Sequence, residues 1–285
     1  MKITEALSLA TICPKEARSL LQANTTLSLP YIVSHGDAKI TQTEKENFFY
    51  SVNRRKFGVP MAYLLGQKEF YGIEFYIDER ALVPRPETEL LVDFGLEALE
   101  HRANPKGLDL GTGSGVVGIS LIQNHPTVVI TATDISPVAL SLAEENSGKI
   151  LNNQTRLRLR KSDWYSNILR TEKFDLIVSN PPYIRTGDVY LTKGTLRFEP
   201  SLALIGGLDG LFNIRAVLEK AKNGTLLIDE VSEIPLDTQA KILRVLIDQK
   251  FKRINGNKDI NVNIRIISST SKDLKSEVAV GNFRE

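Results

Sequence analysis

The chain has 285 residues, of which 42% are hydrophobic and 25% charged, enough to build a buried core in one large or two modest soluble domains. Its formal charge of +2, from 36 basic and 34 acidic residues, neither requires nor excludes a nucleic-acid partner. A single cysteine, Cys13, excludes an internal disulfide framework. No apolar run approaches the ~20 residues that a membrane span needs. We therefore expect a cytoplasmic protein in which Cys13 is a small buried hydrophobic residue.

The N-terminal third is predicted to consist of short helices followed by a hairpin. Thr41 and Glu44 have the spacing of a capping box that opens one helix. The apolar residues that follow at helical spacing predict its buried face: Phe48, Phe49, Val52 and Phe57. Alternating apolar residues around Gly72 predict a β-hairpin: Phe70, Ile73, Phe75 and Ile77. Beyond the Pro84 and Pro86 pair, a further helix is predicted to run to about Glu100.

From Gly107 onward, strand-like and helix-like segments alternate. Apolar strand candidates lie at GLDL, VVITATD, RLRLRK and FDLIVS, and helical patterns lie between them. This alternation predicts an α/β, Rossmann-like domain with a mostly parallel sheet covered by helices on both faces. Ligands of such sheets bind at the carboxyl ends of the strands, where the polar residues of this segment are concentrated.

A glycine-rich turn after the first of these strands predicts a cofactor site. Asp109 ends the strand, and Gly111, Thr112, Gly113, Ser114 and Gly115 precede a helix. Glycine lets the backbone approach a ligand closely, although a tight strand–helix turn alone would also explain this pattern. No phosphate-binding lysine follows, which excludes a P-loop.

Acidic residues after the next two strands strengthen this prediction. Asp134 is placed to accept hydrogen bonds from both ribose hydroxyls of an adenosyl ligand, with a helix N-cap as an equally simple alternative. Asp163 and Trp164 are placed to hold the adenine, although a lone tryptophan is also a common core residue.

The segment from Asn180 to Tyr183 is the most specific signal. The carbonyl oxygen of Asn180 and the backbone carbonyl of Pro181 can accept both hydrogens of a planar NH₂ group. Pro181 and Pro182 restrict the backbone, and Tyr183 can stack on the planar group. Together with the cofactor residues, this motif predicts an S-adenosylmethionine-dependent methyltransferase that uses no metal and methylates a planar amide or amine nitrogen.

Over residues 1–218 the sequence resembles the release-factor glutamine N5-methyltransferases, the PrmC/HemK family. The matching motifs are GVPMAYLLGQKEFYG, VPRPETELLVD, LDLGTGSGVVGISL, ATDIS, SDW, VSNPPYI and FEPSLALIGGLDGL. The resemblance implies methyl transfer to the glutamine of the Gly-Gly-Gln loop of peptide-chain release factors. It also implies cofactor contacts at Gly111–Gly115, Asp134, Trp164 and Asn180, and glutamine binding by Asn180–Tyr183.

The same resemblance implies that the N-terminal helices help to bind the release factor. Arg85 and Glu87 are expected to order the acceptor side, with a surface salt bridge as the alternative. No direct nucleic-acid contact and a monomeric state are expected. The alternative function is that of an adenine-N6 methyltransferase acting on nucleic acid. Such an enzyme is expected to have a basic face or a target-recognition domain, and the near-neutral charge of the chain argues against it.

The resemblance ends near Leu218. Residues 222–285 resemble instead part of the AAA+ module of NtrC-type, sigma-54-dependent activators, with Asp229 and Glu230 at the Mg²⁺-binding and water-activating positions. Because no G-x-x-x-x-G-K-[ST] loop occurs in the sequence, these two residues are predicted to be inert. The pattern indicates a chimera joined near residues 220–224, or, as the alternative function, an activator fragment without catalysis.

Four parts are therefore predicted. Residues 1–72 form a helical substrate-recognition domain, and residues 73–106 a hairpin and linker helix. Residues 107–221 form a class I methyltransferase domain, and residues 222–285 an activator-like fragment that supplies the last strands. In that arrangement GTLLIDEV replaces the sixth strand of the methyltransferase sheet and PLDTQAKILRVLIDQ covers it as a helix.

Overall fold

The computed structural model describes residues 1–152, 154–218, 225–228, 231–233, 236–252, 259–261, 265–268, 270 and 272–284. The chain begins with five helices: α1 Ile3–Leu9, α2 Pro14–Ala23, α3 Leu29–Ser34, α4 Gln42–Lys56 and α5 Met61–Leu65. The predicted capping box is present, since Thr41 accepts a hydrogen bond from the Glu44 amide and Glu44 accepts one from the Thr41 amide. These helices enclose a core of their own that includes Leu20, Leu21 and Phe48.

Two predictions about this helical region are wrong. Cys13 is exposed, because it lies at the N-cap of α2, one residue before the helix turns its apolar side inward. Phe57 is 71% exposed, because α4 ends at Lys56 and the chain leaves the helical path there. Phe48 and Val52 are buried as predicted.

The predicted hairpin is formed by β1 Gln67–Phe70 and β2 Ile73–Tyr76, which pair antiparallel. Tyr71 and Gly72 form the two-residue turn, and both have positive φ (54° and 70°), as a type I′ turn requires. Phe70 and Phe75 are buried on the same face and meet edge to face. The hairpin thereby joins the core of the following domain.

The next part of the chain is the predicted α/β domain. After a 3₁₀ turn at Pro86–Thr88 come α6 Glu89–Leu99, β3 Lys106–Leu110, α7 Val116–Asn124, β4 Val129–Asp134, α8 Pro137–Ile150, β5 Leu157–Lys161 and β6 Leu176–Ser179. The four strands form one parallel sheet in the order β5-β4-β3-β6. β3 and β4 are therefore central, which places the residues that follow them side by side at the carboxyl edge.

Several short elements follow β6. They are 3₁₀ turns at Val189–Thr192 and Leu196–Phe198, then α9 Ser201–Leu204 and α10 Phe212–Leu218. No described helix has both the length and the apolar character needed to cross a membrane.

The activator-like segment supplies β7 Thr225–Ile228, a 3₁₀ turn at Val231–Glu233, α11 Leu236–Asp248, β8 Lys250–Lys252, β9 Asp259–Asn261, β10 Arg265–Ser268 and α12 Leu274–Ala279. β7 lies close to β6, but it belongs to a two-stranded sheet separate from the four-stranded one, and α11 follows it. That GTLLIDEV replaces the sixth strand of the sheet therefore stays a prediction. β10 pairs with β7 in parallel. Asp229, Glu230 and residues 220–224 at the predicted junction lie outside the described residues.

Asn146 on α8 connects the hairpin to the α/β domain. It is fully buried; its side-chain oxygen accepts from the Tyr76 amide at 2.7 Å, and its nitrogen donates to the carbonyls of Tyr76 (3.0 Å) and Ser114 (2.9 Å). Ser114 belongs to the glycine-rich turn. One side chain thus fixes the distance between the hairpin and that turn.

Asn146→Ala is expected to lower the free energy of unfolding by roughly 3 kcal/mol, because each buried polar group left unpaired costs about 1–3 kcal/mol. Urea unfolding followed by circular dichroism measures the change. Asn124→Ala is the matched control, since Asn124 is exposed and donates only to the Ser120 carbonyl of its own helix. Equal effects of the two substitutions would contradict a connecting role for Asn146.

Candidate active site

The glycine-rich turn is held by backbone hydrogen bonds to β4. The amides of Gly111 and Thr112 both donate to the Thr133 carbonyl at 2.9 Å. Gly113 has a φ of 56°, a left-handed conformation that favours glycine. These contacts place the backbone of the turn at the carboxyl edge of the two central strands.

Asp109 lies beneath this turn and is 3% exposed. Its Oδ2 accepts from the Thr112 hydroxyl at 2.7 Å and from the Gly118 amide at 3.1 Å. Burial raises the pKa of the Asp109 carboxyl to about 6, against the two hydrogen bonds, which favour the charged form. Asp109 is thus a buried carboxyl group with a pKa close to neutral pH.

Asp134 ends β4 and joins the turn to the start of α8. Its Oδ2 accepts from the Gly113 amide and its Oδ1 from the Ser136 amide, both at 2.9 Å. The N-cap of α8 is Ser136, whose hydroxyl accepts from the Ala139 amide. The N-cap alternative for Asp134 is therefore wrong, and Asp134 faces the cavity described next.

A cavity of about 530 Å³ opens at this edge. Trp164 lies on its wall with a φ of 48°, and its ring is close to Gly111. Of the predicted cofactor residues, nine line the cavity: Asp109, Gly111, Thr112, Gly113, Ser114, Asp134, Asp163, Trp164 and Asn180. Gly115 does not; it is the N-cap of α7, packed under Ala143.

A second cavity, of about 300 Å³, lies beside the first. Its walls include every predicted substrate residue: Arg85, Glu87, Asn180, Pro181, Pro182 and Tyr183. The two cavities share part of their walls, at Leu82, Arg85, Asn180, Pro182 and Ala203. Asn180 therefore faces both a cofactor-sized cavity and its smaller neighbour.

The Asn180 amide has a partner that the sequence did not predict. Its Nδ2 is 3.4 Å from the Thr88 hydroxyl, and Thr88 is 4% exposed. With the amide nitrogen directed to Thr88, the Asn180 oxygen is the end available to a group in the cavity. Thr88 lies in the VPRPETE motif, but no local pattern connects it to Asn180, which lies 92 positions later.

Arg85 also has an unexpected partner. Its Nη2 donates to Oε1 of Glu199 at 2.7 Å, and the Glu199 side chain is fully buried. Oε2 of the same carboxylate accepts from the Val83 amide at 3.0 Å. Arg85 therefore does form a salt bridge, as the predicted alternative states, but with a buried carboxylate and not with a surface one.

Residues after the Asn-Pro-Pro-Tyr motif support its backbone. The Asn213 side chain donates to the carbonyls of Pro182 and Ile205, each at 3.1 Å. The Gly206 amide donates to the Ile184 carbonyl at 2.7 Å. The carbonyl of Pro182 is thus engaged within the protein. In the described part of the chain, no group of three or more His, Cys, Asp or Glu side chains could hold a metal ion.

The raised pKa of Asp109 predicts a pH-dependent cofactor affinity. A carboxylate near the cavity attracts an ammonium group such as that of an amino-acid-bearing cofactor, and protonation with a midpoint of about pH 6 removes that attraction. We expect affinity for S-adenosylmethionine to decrease as the pH falls from 7 to 5, which calorimetry at several pH values measures. Burial also raises the pKa of Asp134. The variant Asp109→Asn separates the two groups, because it removes the titrating carboxyl of Asp109 and leaves Asp134 in place. A wild-type affinity that is flat in pH, or a variant that keeps the wild-type slope, would contradict the assignment to Asp109.

Three family models match successive parts of the chain. The PrmC N-terminal domain matches residues 2–66, the methyltransferase small domain residues 88–196, and the sigma-54 interaction domain residues 213–285. The last match confirms that the end of the chain resembles a sigma-54-dependent activator. The chain is thus chimeric in sequence.

Curated relatives resemble the chain over most of their length. The release factor glutamine methyltransferase of Xylella fastidiosa is 39% identical over 200 residues, which is 70% of this chain and 72% of the relative. That of Bordetella pertussis is 41% identical over 196 residues, 69% of this chain and 72% of the relative. That of Neisseria gonorrhoeae is 35% identical over 260 residues, 89% of this chain and 92% of the relative.

Among solved structures, a S-adenosylmethionine-dependent methyltransferase from Agrobacterium tumefaciens is similar with a TM-score of 0.36 and 23% identity, covering 46% of this chain and 45% of that one. The family assignment depends on the curated relatives instead. The chain belongs to the family of release factor glutamine methyltransferases and is an S-adenosylmethionine-dependent enzyme.

Proposed function

We propose that this enzyme transfers a methyl group from S-adenosylmethionine to the side-chain amide nitrogen, N5, of the glutamine in the Gly-Gly-Gln motif of peptide-chain release factors. The observation that carries the proposal is the position of Asn180 in the wall shared by the two cavities. A cofactor in the larger cavity and an amide in the smaller one would both contact this residue.

The acceptor residues suit a primary amide. The Asn180 oxygen and the Pro181 carbonyl would accept its two hydrogens, which directs the nitrogen towards the larger cavity. The Pro182 carbonyl does not compete, since Asn213 donates to it at 3.1 Å. Pro181 and Pro182 hold the backbone in place, so that few degrees of freedom are lost when the substrate binds.

The cofactor supplies an electrophilic methyl group. The substrate nitrogen forms a bond to the methyl carbon while the methyl–sulfur bond breaks with its electron pair going to sulfur, and the nitrogen then loses one proton to water. Because the sulfonium charge disappears in this step, a largely apolar cavity that fixes the amide would favour the transfer. Asn180 and Pro181 do this by holding the amide hydrogens.

We assign the other parts of the chain accordingly. Residues 1–72 bind the release factor, residues 73–106 connect them to the catalytic part, and residues 107–221 carry out the transfer. Residues 222–285 act as structural replacements for the end of the family's sheet. The enzyme would then act as a monomer in the cytoplasm, where it prepares release factors for translation termination.

The test is methyl transfer from radiolabelled S-adenosylmethionine to a purified bacterial release factor. The same factor with the motif glutamine replaced by alanine is the matched control, and double-stranded DNA is a second acceptor. Label on the wild-type factor alone is the expected result. Label on DNA would favour an adenine-N6 methyltransferase, whose planar NH₂ group the same two oxygens could bind.

A further inference from the structure

The smaller cavity, which the proposed function assigns to the acceptor, is built from two stretches of chain that are far apart in sequence. One wall is the linker between the hairpin and α6, with Leu82, Arg85 and Glu87. The opposite wall is the segment after the Asn-Pro-Pro-Tyr motif, with Asp188, Tyr190, Leu196, Ala203 and Leu204. The width of the cavity therefore depends on what holds the segment, residues 184–204, against the linker, residues 82–88.

Glu199 holds them together. It lies within the segment, its side chain is fully buried, and both of its carboxylate oxygens bind the linker. Oε2 accepts from the Val83 amide at 3.0 Å, and Oε1 accepts from Arg85 at 2.7 Å. A buried carboxylate without partners is strongly disfavoured, so these two bonds resist separation of the walls.

The linker itself is fixed from its other side. The Tyr63 hydroxyl on α5 donates to the Ala81 carbonyl at 2.7 Å, two residues before Val83. The segment is also tied to the N-terminal helices, because Arg197 donates to the Phe57 carbonyl. The linker and the segment thus each have one such contact with the N-terminal helices, and Glu199 joins the two directly, so its loss would weaken the attachment of the segment to the linker.

We propose that Glu199 is a positioning residue that sets the acceptor cavity by fixing residues 184–204 on the linker through Val83 and Arg85. The Glu199 side chain lines neither cavity, and it acts through residues that do, such as Arg85. The identity of the acceptor rests on the proposed function, whereas the mechanical role of Glu199 does not.

Glu199→Gln keeps an oxygen for the Val83 amide but removes the charge that binds Arg85. We expect kcat/KM for the acceptor to fall between about tenfold and 100-fold, which is the effect of loosened positioning. The cofactor dissociation constant should change by a smaller factor, since the glycine-rich turn, Asp109 and Asp134 of that cavity lie outside the segment. An unchanged kcat/KM for the acceptor, or an equal loss of cofactor affinity, would overturn the proposal.

Glu172→Gln is the matched control. Glu172 also accepts from one arginine, Arg160 at 2.8 Å, and from one backbone amide, Leu169 at 2.9 Å, but it lines neither cavity. It should leave acceptor kinetics unchanged. Glu199→Asp, which keeps the charge on a shorter side chain, should recover part of the activity if position is what matters.

Limited trypsin digestion tests the role of Glu199 independently of which substrate the enzyme methylates. Arg185 and Lys193 are exposed cleavage sites in the segment. Cleavage there should be at least about tenfold faster in Glu199→Gln than in the wild type or Glu172→Gln, since opening of the segment controls its rate. If release factor is not methylated but digestion is accelerated, the proposed function is wrong and Glu199 still fixes the segment. Equal digestion rates would refute the positioning role whatever the substrate is.

Discussion

Asn180→Ala is expected to lower kcat for methyl transfer by about 10²–10³-fold, comparable to the loss of a preorganised hydrogen-bonding group in other enzymes. The substitution removes the oxygen that would accept one hydrogen of the substrate amide, and it also leaves the buried Thr88 hydroxyl without its 3.4 Å contact to Nδ2. Single-turnover kinetics with saturating cofactor measure the chemical step directly.

Because Asn180 also lines the larger cavity, cofactor affinity must be measured separately by calorimetry. Asn167→Ala serves as the control, since Asn167 is exposed and its side chain donates to the Lys161 carbonyl, away from both cavities. A single-turnover rate for Asn180→Ala within about threefold of the wild type would be incompatible with a role for its oxygen in transfer.

Gly206→Ala is expected to abolish most of the transfer activity by displacing the Asn-Pro-Pro-Tyr backbone. A Cβ at this position would lie 2.5 Å from the Gly210 carbonyl oxygen, 2.7 Å from the Tyr183 Cα and 2.8 Å from the Pro182 carbonyl oxygen. All three are backbone atoms, so no side-chain rotation relieves the clash. A displacement of about 1 Å at the acceptor site costs roughly 100-fold in rate.

The measurement is kcat/KM for the acceptor together with thermal unfolding, since part of the strain will lower stability. Gly148→Ala in α8 is the matched control, because the nearest atom to its new Cβ is the Gln154 side-chain nitrogen at 3.7 Å. That variant should be as active as the wild type and up to about 1 kcal/mol more stable, as alanine favours the helix. Normal activity in Gly206→Ala would show that this backbone contact does not fix the acceptor site.

The features that the sequence predicted correctly have local signals. The hairpin follows from alternating apolar residues around Gly72, and the parallel sheet follows from strand–helix alternation. Asp109, Asp134 and Asn180 meet at the carboxyl edge because Asp109 is the last residue but one of β3, Asp134 ends β4 and Asn180 follows β6. That these three residues lie close together could therefore be predicted without any knowledge of long-range contacts.

The features that the sequence did not predict depend on distant residues or on where an element ends. Glu199 contacts Val83 and Arg85 across more than a hundred positions, so no spacing rule indicates the pair. Cys13 and Phe57 fit an apolar periodicity, but each lies one residue beyond a helix boundary, where the periodicity no longer applies. The parallel pairing of β10 with β7 joins strands about forty residues apart in the sequence, so no local pattern indicates it.

The wall that the two cavities share has a thermodynamic consequence. If a ligand in one cavity shifts Arg85 or Asn180, it changes the free energy with which the other cavity binds its own ligand. Such coupling is reciprocal, so the factor by which the methyl donor changes affinity for the acceptor equals the factor by which the acceptor changes affinity for the donor. The methylated amide and the demethylated donor are subject to the same linkage, so the affinity of the enzyme for each product depends on whether the other is still bound.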